Sequence, residues 1–343
     1  MKRIRLELVR CLIDKRNRNI FDPNQIKKVL FLRDDDKFGD MVISTISFRE
    51  LRKEGFRVSV VAGANNKKVI TFDDNVDQVF IYKKGFWNIV KLAVQLRKEK
   101  FDLVIDVGDE MSPVYFLFLR IINSKNMLGF NRRHYLLYNI NIDYSTLDKH
   151  ISYRHFVLLD KLGIKNISLD YNLNFSEQDE DTVDHYLTKF DKKKIVVLNP
   201  YTALKQKDLS IEQIKHIIFT VSSYEDVVII VIGQQEKIAA LSFLGVELFP
   251  FKEFLQAVVL IKKADYIVSP DTSIVHVAAA FQKPLVTMYR KDRSDNFASK
   301  EWGPNNSRSI QLLTSNEHEF VSSIRVDEID KAIKHMIDSV GIS

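Results

Sequence analysis

The chain has 343 residues, long for one domain and comfortable for two. Apolar residues make up 45% and charged residues 28%, with only 11 Gly and 7 Pro, which excludes low-complexity and collagen-like classes. The net charge is +6, and the single cysteine, Cys11, excludes an internal disulfide and a thiolate metal site.

The excess charge sits at the start. Residues 1–28 carry nine Lys and Arg against three carboxylates, and the rest of the chain holds 42 of each sign. Within this segment Ile4, Leu8 and Leu12 recur every four residues, with Val9 and Ile13 beside them. As a helix this is an apolar stripe with basic flanks. It suits either an anionic membrane surface or packing against the body with a solvated basic face. Charges interrupt the first residues, MKRIRLELVRCLIDKRNR, unlike a secretory signal, and no uncharged apolar run reaches the ~18 residues of a spanning helix. The expectation is a cytoplasmic protein. Nucleic acid is not an expected partner, because no aromatic–basic interleaving or zinc spacing accompanies the charge.

From Pro23 onward the pattern changes. KKVLFLR (27–33) predicts a short buried strand, then a charged loop and a helix over 39–53. Strands follow at 57–63, 78–82, 101–108 and 125–130, with helices over 86–99 and 111–122 between them. Strands alternating with helices predict a parallel sheet covered on both faces. A second series comprises 193–200, 226–233, 264–270 and 284–289, with helices over 211–222, 251–263 and 273–281. The acidic stretch FSEQDEDTVDHY (175–186) suits a linker leading into a helix. The expected organisation is a basic segment over 1–26, a first α/β domain over 27–172, a second over 173–322, and a closing helical segment over 323–343 that packs back on the first domain. Ligands in such sheets bind at the carboxyl ends of the strands.

Four loops there carry candidate chemistry. In ADYIVSPDTSIVHVAAAFQKPLVTMY (264–289) Pro270 stops the strand, and Asp271, Thr272 and Ser273 open a helix. The helix start is an anion site suited to a diphosphate or simply a capped end, and His276 lies one turn in, facing the same mouth. In LRDDDKFGDMVISTISFRELRKEG (32–55) Gly39 permits a tight turn or close approach, and Asp40 is either a helix cap or a proton acceptor. Thr45 and Ser47 read as helix-surface hydroxyls. In LNPYTALKQKDLSIEQI (198–214) Lys205 and Lys207 suit a diphosphate or are merely solvated, and Ser210 with Gln213 forms a capping box. In VIGQQEKIA (231–239) Gly233 ends a strand, and Gln235 or Glu236 is placed to bond a ribose or base. No cluster has metal-ligand spacing, and Asp34, Asp35 and Asp36 read as an exposed charged run. The absence of G-x-G-x-x-G and of a P-loop argues against a nicotinamide enzyme or an ATPase.

Taken together these segments resemble glycosyltransferase family 9, the ADP-heptose:lipopolysaccharide heptosyltransferases, over roughly residues 27–320. The resemblance implies a GT-B fold, two Rossmann-like parallel-sheet domains facing a central cleft. The run S-P-D-T-S-I-V-H-V-A-A-A is similar to the family's D-T-G-x-x-H-x-A-A-A, which makes Asp271 a holder of donor sugar hydroxyls, Thr272 and Ser273 diphosphate-binding through their amides, and His276 a supporting residue. Gly39-Asp40 resembles the family's G-D element, with Asp40 the general base. Lys207-Asp208-Leu209-Ser210-Ile211-Glu212 resembles its K-x-W-P-x-E loop, with Lys207 the phosphate lysine. Gly233 and Glu236 complete the candidate donor side; Arg33, Lys37 and Gly39 are the acceptor-side candidates. The sequence departs from the family pattern at Ser273 for glycine, Ile46 for proline, Leu209-Ser210 for Trp-Pro, and Arg290 where a glycine often follows the strand.

The implied reaction is inverting, metal-independent transfer of a sugar, heptose from ADP-heptose, onto a lipopolysaccharide core acceptor. The implied partners are the nucleotide sugar as substrate, a lipid-linked oligosaccharide acceptor, and the anionic inner face of a bacterial inner membrane through residues 1–28, with no cofactor. The alternatives are a GT-B transferase or epimerase using another nucleotide sugar, and an inactive membrane-surface scaffold of the same fold.

Overall fold

The structure, a computed structural model, describes residues 2–145, 149–292 and 298–340; side chains are described from residue 5 to residue 339 of these. Lys2, Arg3 and Ile4 of the expected basic stripe therefore lie outside the described side chains. The chain divides into two compact units, Met1–Ser145 with Ser152–Asn172, and Thr146–Ile151 with Leu173–Ser343.

The first unit holds strands β1 (Lys28–Arg33), β2 (Arg57–Ala62), β3 (Gln78–Ile81), β4 (Leu103–Asp106), β5 (Asn126–Phe130) and β6 (Ile140–Ile142), with helices α1 (Lys2–Ile13), α2 (Phe38–Lys53), α3 (Phe86–Lys98), α4 (Pro113–Ile122) and α5 (Ser152–Lys161). All pairings are parallel, in the order β3-β2-β1-β4-β5-β6. Successive residues of β1 point to opposite faces. Leu30 and Leu32 join the core beneath α1, α3 and α4, while Phe31 lies 5.1 Å edge-on from Phe48 of α2 and stacks 6.2 Å from His155 of α5. With both faces covered, the strand reads as a continuous apolar run.

The second unit holds α6 (Glu177–Leu187), β7 (Lys194–Leu198), α7 (Ile211–Ser222), β8 (Val227–Val231), α8 (Gln235–Ile238), β9 (Glu247–Leu248), α9 (Phe254–Lys263), β10 (Tyr266–Pro270), α10 (Ser273–Ala280), β11 (Leu285–Tyr289), α11 (Ala298–Glu301), β12 (Ser309–Leu313) and α12 (Val326–Val340). Its parallel sheet runs β12-β11-β10-β7-β8-β9. Counted from its own first strand, this is the same order as in the first unit. Both sheets thus reverse direction beside their first strand, between β1 and β4 and between β7 and β10, and a crevice opens at that point in a doubly wound sheet.

Several elements depart from the sequence expectation. The closing helix α12 belongs to the second unit, where it packs on α7. Its face of Ile329, Ile333, Met336 and Ile337 is buried in one core with Ile214, Ile217 and Val221 of α7. The capping box at Ser210 and Gln213 forms as expected, and Gln213 Nε2 also donates to the carbonyls of Val321 and Ile324, tying α7 to the segment ahead of α12. Helix α1 packs through Leu6, Val9 and Ile13, leaving Leu8 and Leu12 exposed. Thr45 and Ser47 are buried and are not surface hydroxyls. Ser47 Oγ lies 2.7 Å from His155 Nδ1, and Thr45 accepts the Asn172 amide at 2.9 Å.

Candidate active site

In the first unit, β1 delivers Arg33 to the switch point. Its side chain is only 8% exposed, and its guanidinium donates to Ser44 at 3.0 Å and to Asp35 at 3.0 Å, and lies 3.2 Å from Asp40. Arg33 therefore acts as a buried counter-ion and offers no open acceptor contact. Asp40 sits in the first turn of α2 but does not cap it. The N-cap position is Lys37, which makes no side-chain cap bond. Of the two sequence readings of Asp40, capping is thus set aside. Burial pushes its carboxyl above the usual range, Arg33 and Lys37 oppose this, and Asp35 and Asp109 add to it. A carboxyl raised in this way holds a proton more firmly, which suits a general base. Lys37 is exposed, and Gly39 lies within α2 without a positive φ; the backbone there needs no glycine for its conformation.

The three aspartates after β1 do not gather as a metal site; among the described residues no cluster of potential metal ligands exists. Asp35 pairs with Arg33. Asp36, at φ +61°, accepts the amides of Asn65 at 2.6 Å and Asn66 at 3.2 Å. A Cβ on Gly63 would meet Asp36 Oδ1 at 2.3 Å, so this close approach requires glycine. Burial pushes the Asp34 carboxyl up to about 6. A raised acid binds its proton more tightly folded than unfolded, so its ionisation costs stability above about pH 6 and costs none below about pH 4. Asp34→Asn is accordingly expected to stabilise the chain by about 2 kcal/mol at neutral pH. Denaturant melts at pH 7 and at pH 4 check this, since the gain should vanish at the lower pH.

Nothing in the residue pattern signals the neighbouring cluster on β4. Asp106 is fully buried and accepts from Tyr115 Oη at 3.0 Å, from Tyr138 Oη, and from the Gly108 amide at 3.0 Å. Both tyrosines are raised well above their ordinary value by burial and then by Asp106. Arg132 donates to the carbonyls of Gly108 at 2.6 Å and Asp109 at 3.1 Å, and Arg154 pairs with Asp109 at 2.8 Å. This framework holds the loop after β4 facing the loop after β1.

In the second unit, the corresponding crevice is bridged by an ion pair. Lys207, on the short turn Lys205–Lys207 that follows β7, binds the carboxylate of Asp271, which follows β10. Burial raises Asp271 and Lys207 opposes that. Asn199, unremarked in the sequence, joins the same two loops by donating to Ser269 at 3.0 Å and Thr272 at 3.1 Å. Thr272 caps α10 through the Ile274 amide at 3.2 Å, and Ser273 is the first residue of that helix. The positive end of α10 and the Lys207 ammonium thus converge at one switch point, an arrangement suited to an anionic leaving group.

His276, one turn into α10, is enclosed. It is buried, and burial, with the nearby His150, lowers its pKa to about 3, so it is neutral. The β8–α8 loop lies one strand over, and Lys237 Nζ donates to the Thr202 carbonyl at 2.7 Å between the two loops. Gly233 there has φ +151°, and a Cβ would sit 2.8 Å from Ile238. Glu236 is exposed, whereas Gln235 is committed to the Phe249 carbonyl at 2.7 Å. Arg290 explains itself structurally. It donates to Gln206 at 2.6 Å and to the carbonyls of Glu317 and Glu319 at 2.9 Å each, fastening the turn that carries Lys207.

Comparison with known proteins gives the family and the fold. Residues 89–329 match the model of "Glycosyltransferase family 9 (heptosyltransferase)". The chain is 30% identical over 309 residues to "Putative lipopolysaccharide heptosyltransferase 4" of Escherichia coli (strain K12), covering 88% of this chain and 85% of that protein. Among solved structures, a family 9 glycosyl transferase from Veillonella parvula DSM 2008 superposes with a TM-score of 0.77 at 15% identity, over 91% of this chain and 97% of its own. The E. coli ADP-heptose lps heptosyltransferase II gives 0.74 at 17% identity, over 92% and 99%. The fold is GT-B, and the chain belongs to glycosyltransferase family 9, the heptosyltransferase family.

Proposed function

We propose that this glycosyltransferase moves heptose from ADP-heptose onto a lipopolysaccharide core acceptor, with inversion and without a metal ion. The observation that carries the reading is the Lys207–Asp271 pair beside the N-terminus of α10. It supports the reading because a cation and helix-end amides beside one another suit a diphosphate that gains charge as it departs, and the adjoining carboxylate suits sugar hydroxyls. The names of the E. coli relatives, a lipopolysaccharide heptosyltransferase and an ADP-heptose lps heptosyltransferase, support the choice of donor and acceptor.

In this reading an acceptor hydroxyl attacks the anomeric carbon. Its oxygen forms the new bond, its proton passes to Asp40, and the bond to the diphosphate oxygen breaks to release ADP. Lys207 and the amides of Thr272 and Ser273 receive the departing charge, which is the work a divalent metal does in other transferases. Asp271 binds sugar hydroxyls, Glu236 the nucleoside, and Gly233 lets the backbone turn close to it. On the acceptor side, Arg33 sets the charge state of Asp40, and Lys37 and Gly39 border the incoming hydroxyl. His276 supports α10 from below as a neutral ring. No helix among the described residues is long and apolar enough to cross a membrane. Residues 1–28 meet the anionic inner face of the inner membrane, where a lipid-linked acceptor resides.

The test is incubation with ADP-heptose and core-truncated lipopolysaccharide, read by mass spectrometry. Addition of one heptose is expected. Release of ADP without a glycosylated product, or turnover only with another nucleotide sugar, overturns the assignment.

A further inference from the structure

The first unit is chemically lopsided. Helices α1 and α3 flank α4, and the three share one core over the sheet through Leu6, Leu92, Phe116 and their neighbours. Beside the exposed Glu7, Cys11, Asn88 and Gln95, their outward side chains fall into two main groups. One kind is apolar and exposed: Leu8, Leu12 at 80% exposure, Phe86, Trp87 at 79%, and Val94. The other is cationic: Arg5, Lys91, Arg97, Lys98 and Arg120. None of these five forms an ion pair among the described residues. The single carboxylate on the three helices from residue 5 onward, Glu7, is already held by Arg10 at 2.9 Å. The helices on the opposite face differ: α2 carries Asp40 and Glu50, and α5 carries Asp160, among their cations.

The layer has a tip. Lys83, Lys84 and Gly85 precede α3, and Gly85 takes φ +113° to open the helix. Phe86 and Trp87 follow at once, their rings packed edge to face at 5.2 Å and both exposed. Isolated exposed apolar residues are ordinary. An adjacent exposed Trp–Phe pair preceded by two lysines, on helices whose one described carboxylate is already paired, is not. An indole prefers the boundary between acyl chain and headgroup, and lysines beside it reach the phosphates.

We propose that the α1–α4–α3 layer is a docking face for an anionic lipid bilayer, with Phe86 and Trp87 as its interfacial anchor. This deepens the lipid-linked-acceptor reading and rests on it for its purpose, and it moves the contact from residues 1–28 alone to a whole face. Charge complementarity selects the occupant, since the face offers cations to phosphates and rings to the region below them. Helix α3 starts at the carboxyl edge of the sheet, the edge that carries Asp40, so a docked layer holds that edge at the lipid surface.

The experiment uses the full chain with Trp302→Phe, which leaves Trp87 as the sole tryptophan. Vesicles of equal parts phosphatidylethanolamine and phosphatidylglycerol are compared with vesicles of phosphatidylcholine. On the anionic vesicles alone, Trp87 emission is expected to shift to the blue and become shielded from an aqueous quencher. Phe86→Ser with Trp87→Ser, read by vesicle sedimentation, should weaken binding about tenfold or more. Lys91→Glu with Lys98→Glu, two exposed positions that leave the core intact, should do the same. Transfer to a soluble, deacylated acceptor should be unchanged in all of these variants. Absence of binding to anionic vesicles overturns the proposal, as does binding that leaves Trp87 emission unmoved and survives both double substitutions. Vesicle binding is read without turnover, so a failure of the heptosyl-transfer reading would show separately, as no product from the soluble acceptor.

Discussion

Asp40→Asn is expected to lower kcat about a thousandfold while leaving the melting temperature and the affinity for ADP-heptose near those of the parent chain. The change is isosteric, and Arg33 keeps Asp35 and Ser44 as partners, so the surrounding structure has no reason to move. What disappears is the only feature of Asp40 that the fold does not need, its capacity to take a proton. The parent enzyme should also show an acid limb in its kcat/KM profile. Burial raises the Asp40 carboxyl above its ordinary value, so activity should fall as pH drops through a point higher than that of an exposed aspartate. That limb should be absent from the residual rate of the Asn variant. Near-normal turnover of a folded Asp40→Asn chain would sink the assignment.

Lys207→Ala should reduce kcat about a hundredfold or more and weaken ADP binding in calorimetry. Two effects combine. The departing diphosphate loses its ammonium partner, and Asp271 loses the cation that holds its pKa down against burial. Asp271 then favours its protonated form, which accepts fewer hydrogen bonds from a sugar. A double-mutant cycle with Asp271→Asn separates the two. If Lys207 served only to ionise Asp271, the double variant would lose no more than Asp271→Asn alone; the expected result is a further loss, because the lysine also meets the phosphates.

The parallel sheets were legible because strands buried on both faces leave long apolar runs such as VLFL and VVII, and because Pro270 and Ser210 mark where strands stop and helices start. The short edge strands β6 and β9, of three and two residues, were not legible, since a segment that short shows no period. Helix α12 was legible as a helix, but its apolar face says that it packs, not on what. At the site, Asp40, Lys207 and Asp271 stood out by their position after strands. That Arg33 and His276 are buried was not legible, because burial depends on the side chains of distant segments. Asp106 was invisible for the same reason. Its tyrosines, Tyr115 and Tyr138, come from a helix and a loop that only the fold brings together.

The clamp made by Arg290 has a thermodynamic meaning for donor recognition. Lys207 rides on a turn of three residues that would otherwise sample many shapes, and one guanidinium ties that turn to the segment 317–319. The turn's conformational entropy is thus given up when the chain folds, before any nucleotide arrives. A chain with glycine at position 290 would have to order the turn on binding, with a less favourable binding entropy. If Lys207 meets the donor's diphosphate as proposed, part of the affinity for it is stored in a residue outside the contact.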